Sequence, residues 1–456
     1  FNLEQLEVVK GASSVYSGAG AVSGTVNMVS KTARADDFVR LGAGVGTDEY
    51  YRATVDANRA LSDTAALRLN VMAHRNESPD RDEVSASRWG IAPSLALGLG
   101  TDLRLTVNYV HQENERIPDR GILWRRATGG VGEPVPVDKS TYFGWSNTDR
   151  EEAVVDALTA VIEHDISRQT SVRNTTRLAR TENLSSLATM NGLVCIDGVP
   201  FNATGTCPVA GGNTFSMTGV PGNIRDDLTD VLANITDVTW KFSTAGMAHT
   251  LVTGFALTEE DFERDGWQAR TLANGALPTE VVRDLFDPDP TYDIAFRYFR
   301  GGNQVQAKVS NRALYAFDTL AFNPQWQLNV GLRYERNEAS YKTTNITVAT
   351  GAAASVTEAD VGDDLVSSRI GVVYKPAEQG SIYAAVGNSL TPSATTVIAS
   401  CTASGNNQNC GLDPEETTSY ELGTKWDLLD SRLSLSGALF RNERNSYRVN
   451  RSEERR

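Results

Sequence analysis

Arginine and aromatic side chains that could bind an anion are concentrated in one part of the chain, between positions 116 and 145. They are Arg116, Arg120, Trp124, Arg125, Arg126, Tyr142, Phe143 and Trp145. Guanidinium groups form charge-assisted hydrogen bonds to anionic oxygens, and they stack with aromatic faces. The cluster therefore predicts a site for a planar, anionic, aromatic ligand. A ferric tris-catecholate has this chemistry, and because its iron is already saturated by oxygens, the protein would supply no metal ligand.

A solvated loop is the alternative interpretation of this arginine-rich segment. Acidic residues at Glu115, Asp119 and Glu133 lie close enough in sequence to pair with the arginines. Exposed ion pairs contribute only about 0–1 kcal/mol, so these pairs would stabilise the loop only slightly. In this interpretation the arginines are paired within the loop and bind no ligand. The sequence leaves both interpretations open.

Four cysteines occur as two pairs that are local in sequence, Cys195 with Cys207 and Cys401 with Cys410. Each pair would close a short loop rich in Gly, Asn, Ser and Thr, which predicts disulfide bonds formed in an oxidising compartment. A metal site is the alternative, although no histidine lies near either pair and neither spacing is C-x-x-C.

No enzyme signature is present in the sequence. The histidines His74, His111, His164 and His249 are scattered, and none has a second histidine at metal-ligand spacing. The glycine-rich stretch at 42–46 lacks the strand-to-helix context of a nucleotide-binding loop. We therefore expect a protein that is not an enzyme and has no metal or cofactor of its own.

The charge and the apolar runs exclude two further classes of protein. The formal net charge is −14, and no basic stripe with interleaved aromatic residues is present, so nucleic-acid binding is not expected. No run approaches the roughly 20 apolar residues of a membrane-spanning helix. A transmembrane β-barrel remains possible, because only every second residue of its strands faces lipid.

Strict alternation of apolar and polar residues predicts β-strands. In the stretch 67–75, Leu67, Leu69 and Val71 are apolar, whereas Arg68 and Asn70 are polar. The same period of two, which a helix would not show, occurs at 103–111, 328–336 and 433–441. A soluble all-β repeat protein is the alternative, but no repeat signature is present.

Short turns and long loops alternate along the chain. Turn-forming residues occur at 61–64, 98–101, 165–169, 322–325, 376–380 and 428–431. The long loops are predicted at 113–149, 184–226, 263–304, 341–364 and 389–415. This alternation is typical of an antiparallel outer-membrane barrel whose long loops are extracellular, here with about fifteen strands.

The beginning of the chain carries a family resemblance. The segment LEVVKGASSVYSGAGAVSGTVNMVSK, at positions 6–31, resembles the end of the plug domain of TonB-dependent outer-membrane receptors, where the plug leads into the barrel. The resemblance implies that 1–35 is the C-terminal part of a plug and that 36–456 is an incomplete barrel. The complete receptor would have about 22 strands and an N-terminal box that binds the inner-membrane TonB-type coupling complex.

The ends of the sequence suggest a fragment. The sequence shows no initiator Met or signal peptide, and it ends in RSEERR, without a final strand that ends in an aromatic residue. From the resemblance, we expect most of the plug and the last strands to be missing.

Further motifs are similar to the catecholate siderophore receptors within this family. They are NERIPDRGI at 114–122, YFGW at 142–145, NSLTPSA at 388–394 and LDPEETTSYELG at 412–423. Arg120 departs from the pattern, because relatives often have an aromatic residue there. The resemblance implies energy-dependent uptake of a ferric siderophore, of the catecholate type, across the bacterial outer membrane, in contact with its lipid. The alternatives are uptake of a hydroxamate siderophore, cobalamin or a glycan, or a passive or adhesive barrel.

Overall fold

A computed structural model describes residues 1–11, 13–21, 24–125, 132–189, 193–201, 205–271, 275–276, 281–300, 303–347, 352–392 and 413–446. Its elements are β1 (Leu3–Lys10), α1 (Ser14–Ser17), β2 (Gly24–Ser30), β3 (Phe38–Val45), β4 (Tyr51–Ser62), β5 (Ala65–Glu77), β6 (Ser85–Leu97), β7 (Leu103–Arg116), β8 (Trp124–Arg125), β9 (Glu133–Pro134), β10 (Arg150–Asp165), β11 (Thr170–Thr189), β12 (Val194–Ile196), β13 (Val199–Phe201), β14 (Thr214–Thr244), β15 (Met247–Thr271), β16 (Val281–Asp284), β17 (Phe296–Arg300), β18 (Asn303–Ala321), β19 (Trp326–Thr347), β20 (Ala352–Ala377), β21 (Gly380–Thr391), β22 (Glu415–Leu428) and β23 (Leu433–Asn445). No helix among these residues is long and apolar enough to cross a membrane.

The long strands form one curved antiparallel sheet with the architecture of a barrel. Each strand pairs with the next in the order β3, β4, β5, β6, β7, β10, β11, β14, β15, β18, β19, β20, β21, β22 and β23. The predicted all-β class is therefore confirmed.

Side chains alternate between the two faces of the wall as the sequence pattern predicts. On β5, Arg68 and Asn70 are each 1% exposed, whereas the intervening Leu67 is 42% exposed. The polar set faces the interior and the apolar set faces outward. The four stretches with a period of two all lie within strands, namely β5, β7, β19 and β23.

The short turns are confirmed, but one predicted long loop is wrong. β19 and β20 continue through most of 341–364 and remain paired from Trp326 to Thr347. This extension carries polar residues on both faces, as in Lys342, Thr343 and Thr344. One face of the extension is still packed, since Tyr341 is 6% exposed and lies against Phe262, Ala307 and Ala339. The consecutive polar residues nevertheless hide the alternation that marks the rest of the strand.

The outer face has an apolar belt that ends abruptly toward the long loops. On six successive strands, the last large apolar residue before the long loops is, in turn, Leu158, Leu178, Leu232, Leu257, Leu314 and Tyr334. We call these six residues the belt edge. Two positions closer to the long loops, each of these strands carries a charged residue: Asp156, Arg180, Asp230, Glu259, Arg312 and Arg336.

The first part of the chain lies against the inner face of the wall. β1 and β2 form a two-stranded antiparallel sheet. On one side, the buried Arg68 of β5 bonds Glu4 and the Thr32 carbonyl. On the opposite side, the Ser14 amide donates to Ser389 Oγ at 3.2 Å, and the ring of Tyr16 lies 4.9 Å from that of Phe317. The segment thus spans the interior and contacts both walls.

Candidate functional site

Three long connections at one end of the barrel pack into a single folded unit. They join β7 to β10, β11 to β14, and β15 to β18. Their shared apolar core comprises Leu123, Val135, Phe143, Trp145, Ala188, Val194, Phe215, Met217, Leu285 and Tyr292. We call this unit the loop core. It holds the connections in fixed positions relative to one another.

Hydrogen bonds to backbone groups join two of these connections directly. The Asn147 side-chain amide donates to the Tyr292 carbonyl at 3.0 Å and its oxygen accepts from the Tyr292 amide at 3.1 Å. The Ser146 amide donates to the Pro290 carbonyl at 2.8 Å. These bonds satisfy backbone groups that would otherwise be buried without a partner.

Arg283 of β16 lies at the centre of the loop core and is 6% exposed. Its guanidinium donates to the Gly144 carbonyl at 2.9 Å and also bonds the Asp289 carbonyl. It lies 4.1 Å from the centroid of the Trp145 ring. Burial lowers the pKa of Arg283 to about 10, so the side chain stays charged at neutral pH. Arg283 therefore links two connections through carbonyl oxygens and an aromatic face.

Asp149 is a second buried charged group beside the loop core, and it is 1% exposed. Its carboxylate accepts from the Ala188 amide at 2.7 Å and lies 3.5 Å from Arg120 Nε. Burial raises the pKa of Asp149, against the opposing effects of the Ala188 amide and of Arg120. Burial likewise raises the pKa of Tyr142. The carboxylate thus anchors its connection to the end of β11.

The structure brings part of the predicted ligand site together. Arg120, Tyr142 and Trp145 lie around Asp149, since the Trp145 amide also donates to this carboxylate at 3.3 Å. Tyr142 is 3% and Trp145 2% exposed, so both rings pack within the loop unit instead of facing an open space.

The remaining predicted site residues lie apart from this group. Arg116, at the end of β7, pairs with Glu151. Arg125 Nη2 lies 2.6 Å from Glu133 and its guanidinium 5.5 Å from the Phe201 ring. Trp124 is 60% exposed, and Arg126 lies outside the described residues. The local Arg–carboxylate pairs expected of a solvated loop are therefore present, together with one exposed tryptophan.

Cys195 and Cys207 form a disulfide with their Cα atoms 5.9 Å apart. Cys195 is fully buried, and it joins β12 of the loop core to the segment that follows β13. Cys401 and Cys410 lie outside the described residues. Within the described ranges, no group of three or more His, Cys, Asp or Glu side chains could hold a metal ion.

Sequence reasoning missed Arg283 and Asp149. Asp149 lies at the end of the long loop predicted at 113–149, but its neighbours in sequence do not show that it is buried. Arg283 has no motif around it, because its partners come from connections about 140 positions earlier.

Comparison with known proteins assigns the family. The family model described as TonB dependent receptor-like, beta-barrel matches residues 88–454. The chain belongs to the TonB-dependent receptor family. Barrels of this family lie in the outer membrane. The family consists of receptors and is not an enzyme class.

Individual relatives resemble nearly the whole chain. It is 36% identical to the probable TonB-dependent receptor BfrD of Bordetella pertussis, over 99% of this chain and 60% of that protein. It is 31% identical to the catecholate siderophore receptor Fiu of Escherichia coli K12, over 97% of this chain and 59% of Fiu. The chain thus spans about six-tenths of the length of these relatives.

Two solved structures share the fold. The closed form of the E. coli ferric-catecholate import receptor Fiu superposes with a TM-score of 0.83 at 29% identity, covering 97% of this chain and 63% of Fiu. The siderophore receptor PiuA of Acinetobacter baumannii gives a TM-score of 0.80 at 27% identity, covering 96% of this chain and 62% of PiuA.

Proposed function

We propose that the chain is part of a receptor that imports a ferric siderophore of the catecholate type across the outer membrane. The similarity to Fiu along 97% of the chain carries this proposal. In it, 1–35 is the C-terminal part of the plug, and 36–456 is the barrel, with about fifteen of about 22 strands. Iron is cargo held by the siderophore, and the protein needs no resident cofactor.

The geometry favours Trp124 and Arg125 as ligand contacts. The carboxylate partner of Arg125 is Glu133, whose side chain is 62% exposed, so giving up this pair costs only about 0–1 kcal/mol. A hydrogen bond to a triply anionic ligand contributes roughly 1.5–3 kcal/mol. It is therefore favourable for Arg125 to replace its contact with Glu133 by a contact with the ligand. The neighbouring Trp124 offers a ring face for stacking.

Arg120, Tyr142 and Trp145 have a different role in this proposal. The partner of Arg120 is Asp149, whose side chain is fully buried, and withdrawing Arg120 would leave that charge uncompensated. These three residues therefore position the loops on which the ligand contacts stand. Arg116 is held by Glu151 at the top of β7.

Transport requires the lumen to open. The segment 1–35 contacts both walls through few side chains, so a pull from the inner-membrane coupling complex, transmitted through the plug, would change these contacts first. The described contacts of Ser14 and Gly20 with β21 are uncharged hydrogen bonds, whereas Arg68 provides an ionic contact on the other wall.

Uptake by a deletion strain carrying the full-length gene tests the proposal. Iron-starved cells should take up a labelled ferric catecholate, and only when the coupling protein is present. Arg125→Ala should weaken catecholate binding about tenfold or more, as expected for loss of a charged hydrogen bond. Arg59→Ala serves as control, because it removes another arginine–carboxylate pair, with Asp37, at the opposite end of the barrel. Preferential uptake of a hydroxamate, cobalamin or a glycan would refute the catecholate assignment.

A further inference from the structure

The first segment of the chain is held to the two walls by contacts of different kinds. We call the contact of Glu4 and 31–34 with β4, β5 and β6 the anchor. Here Lys31 Nζ lies 3.0 Å from Asp56, whose side chain is 9% exposed. The buried Arg68 donates to the Thr32 carbonyl at 2.9 Å and lies 3.2 Å from Glu4. Charged groups therefore join the segment to the wall at the anchor.

The opposite contact is held by uncharged hydrogen bonds. We call the contact of 13–21 with β19, β20 and β21 the seam, where α1 lies against all three strands. Ser389 of β21 is fully buried, and its hydroxyl accepts from the Ser14 amide at 3.2 Å and donates to the Ala21 carbonyl at 3.0 Å. The Gly20 amide donates to the Leu390 carbonyl at 2.7 Å. Ser389 thus bonds both ends of the turn that contains α1.

The charged groups at the seam bind each other and not the segment. Arg333 and Glu335 are 6% and 1% exposed. Both belong to β19, and Arg333 Nη2 lies 3.0 Å from Glu335. Gly18 approaches this pair so closely that a Cβ at its position would lie 3.3 Å from an atom of each side chain. Because both partners belong to the wall, the pair stays intact when the segment moves away.

Several polar atoms are buried at the seam without a hydrogen-bond partner in the described part of the chain. They are Ser14 Oγ, Arg333 Nε, Glu335 Oε2 and Ser367 Oγ. Ser367 of β20 stands opposite Arg333 in the strand register and is 1% exposed. Asn70 Nδ2 at the anchor is another such atom, but the Oδ1 atom of Asn70 accepts from Lys31. Water would satisfy the atoms of the seam once it opened, which lowers the cost of opening it.

We propose that the segment opens the lumen by separating from the seam first, while the anchor holds. Ser389 is the positioning residue that keeps the seam closed at rest, and the anchor is the hinge about which the segment moves. The cleft that opens is lined by Arg333, Glu335, Ser367 and Ser389, so cargo passes along β19, β20 and β21. This route rests on the proposed transport function, whereas the unequal strength of the two contacts can be measured without it.

Two buried serines of the wall are matched probes for this difference. Ser367 at the seam is 1% exposed and Ser94 at the anchor is 2% exposed. In the purified full-length receptor, without siderophore or coupling complex, N-ethylmaleimide can reach a cysteine at either position only when the segment moves away. Ser367→Cys should react at least about tenfold faster than Ser94→Cys, after subtraction of the background of the parent protein. Ser94→Cys also weakens the bond from the Ala33 amide, which biases the comparison against the proposal.

Two alanine variants test the role of Ser389. Ser389→Ala in the Ser367→Cys protein removes two hydrogen bonds of the seam and should speed the labelling about tenfold. Ser94→Ala in the same protein removes a hydrogen bond of the anchor and should leave the labelling rate unchanged. Equal labelling of the two cysteine probes, faster labelling at Ser94, or equal effects of the two alanine changes with unchanged thermal unfolding of the barrel would overturn the proposal.

Energised cells test the route of the cargo with the same two probes. A ferric catecholate together with an intact coupling complex should increase the labelling of Ser367→Cys but not that of Ser94→Cys. If the cells take up no ferric catecholate while the purified probes differ as expected, the proposed function is wrong and the difference between seam and anchor stands. If the cells take up ferric catecholate while both probes are labelled equally, the proposed route is wrong.

Discussion

Replacing Arg68 by methionine should loosen the first segment of the chain from the barrel wall. Arg68 is 1% exposed. Its guanidinium donates to both oxygens of Asp56 at 2.8 Å, to the Thr32 carbonyl at 2.9 Å and to Glu4 at 3.2 Å. Methionine keeps an apolar stem of similar length but provides none of these hydrogen bonds.

The structure sets the size of the effect. Arg68 and Asp56 both belong to the barrel wall, so their ion pair is lost equally whether the segment is docked or detached. The bonds that join Arg68 to the segment are those to the Thr32 carbonyl and to Glu4, whose side chain is 42% exposed. A hydrogen bond from a charged group contributes about 1.5–3 kcal/mol and an exposed ion pair about 0–1 kcal/mol, so we expect a loss of about 2 kcal/mol. This corresponds to a roughly thirtyfold rise in the equilibrium constant for detachment of the segment.

Hydrogen exchange at two amides reports this detachment. The Ala33 amide donates to Ser94 Oγ at 2.9 Å and the Arg34 amide to Asn58 Oδ1 at 3.0 Å, so both are protected only while the segment is docked. Arg180→Met is the matched control: it also removes a two-pronged contact with an aspartate, but the Arg180 side chain is 54% exposed and such a pair contributes only about 0–1 kcal/mol. Unchanged protection in Arg68→Met, or equal loss in both variants, would refute the argument.

The loop core offers three further predictions. Arg283→Met leaves carbonyl oxygens without their donor at roughly 1–3 kcal/mol each, and it should speed cleavage of the connections by proteinase K without changing the melting of the barrel. Replacing Cys195 and Cys207 by serine should cost about 2–4 kcal/mol of local stability, seen as lost amide protection in β12 but not in β5. Burial raises the pKa of Asp149 above its ordinary 3.8, so the folded loop holds this proton more tightly than the open loop. Protection of the Ala188 amide from hydrogen exchange should therefore fall as pH rises from about 4 through the raised pKa, and then level off. Asp149→Asn should remove this pH dependence. If the parent protein showed no pH dependence of Ala188 protection, the assignment to Asp149 would be contradicted.

The strands of the barrel could be predicted because their burial is local and periodic. In β5 the alternation of Leu67, Arg68, Leu69 and Asn70 follows directly from an apolar outer face and a polar inner face. Where β19 and β20 continue into 341–364, consecutive polar residues such as Lys342, Thr343 and Thr344 interrupt this alternation. The predicted loop at 341–364 is wrong for that reason.

The candidate site was less accessible to sequence reasoning. An aromatic residue in a long loop could face a ligand or the side chains of another loop, and the spacing around Tyr142 and Trp145 does not distinguish these cases. The environment of Trp145 depends on Tyr292, and that of the neighbouring Phe143 on Phe215, both of which come from distant connections. Their role in ligand binding stays a prediction, as does that of Arg126 and the pairing of Cys401 with Cys410.

The loop core limits how this receptor can be re-engineered or diversify. Its buried side chains come from three connections, and Arg283 of one bonds backbone oxygens of another. A chimera that receives one of these connections from a relative would bring together buried side chains that do not fit one another in the loop core. New ligand specificity is therefore more easily acquired through exposed positions such as Trp124, or through exchange of all three connections as one module.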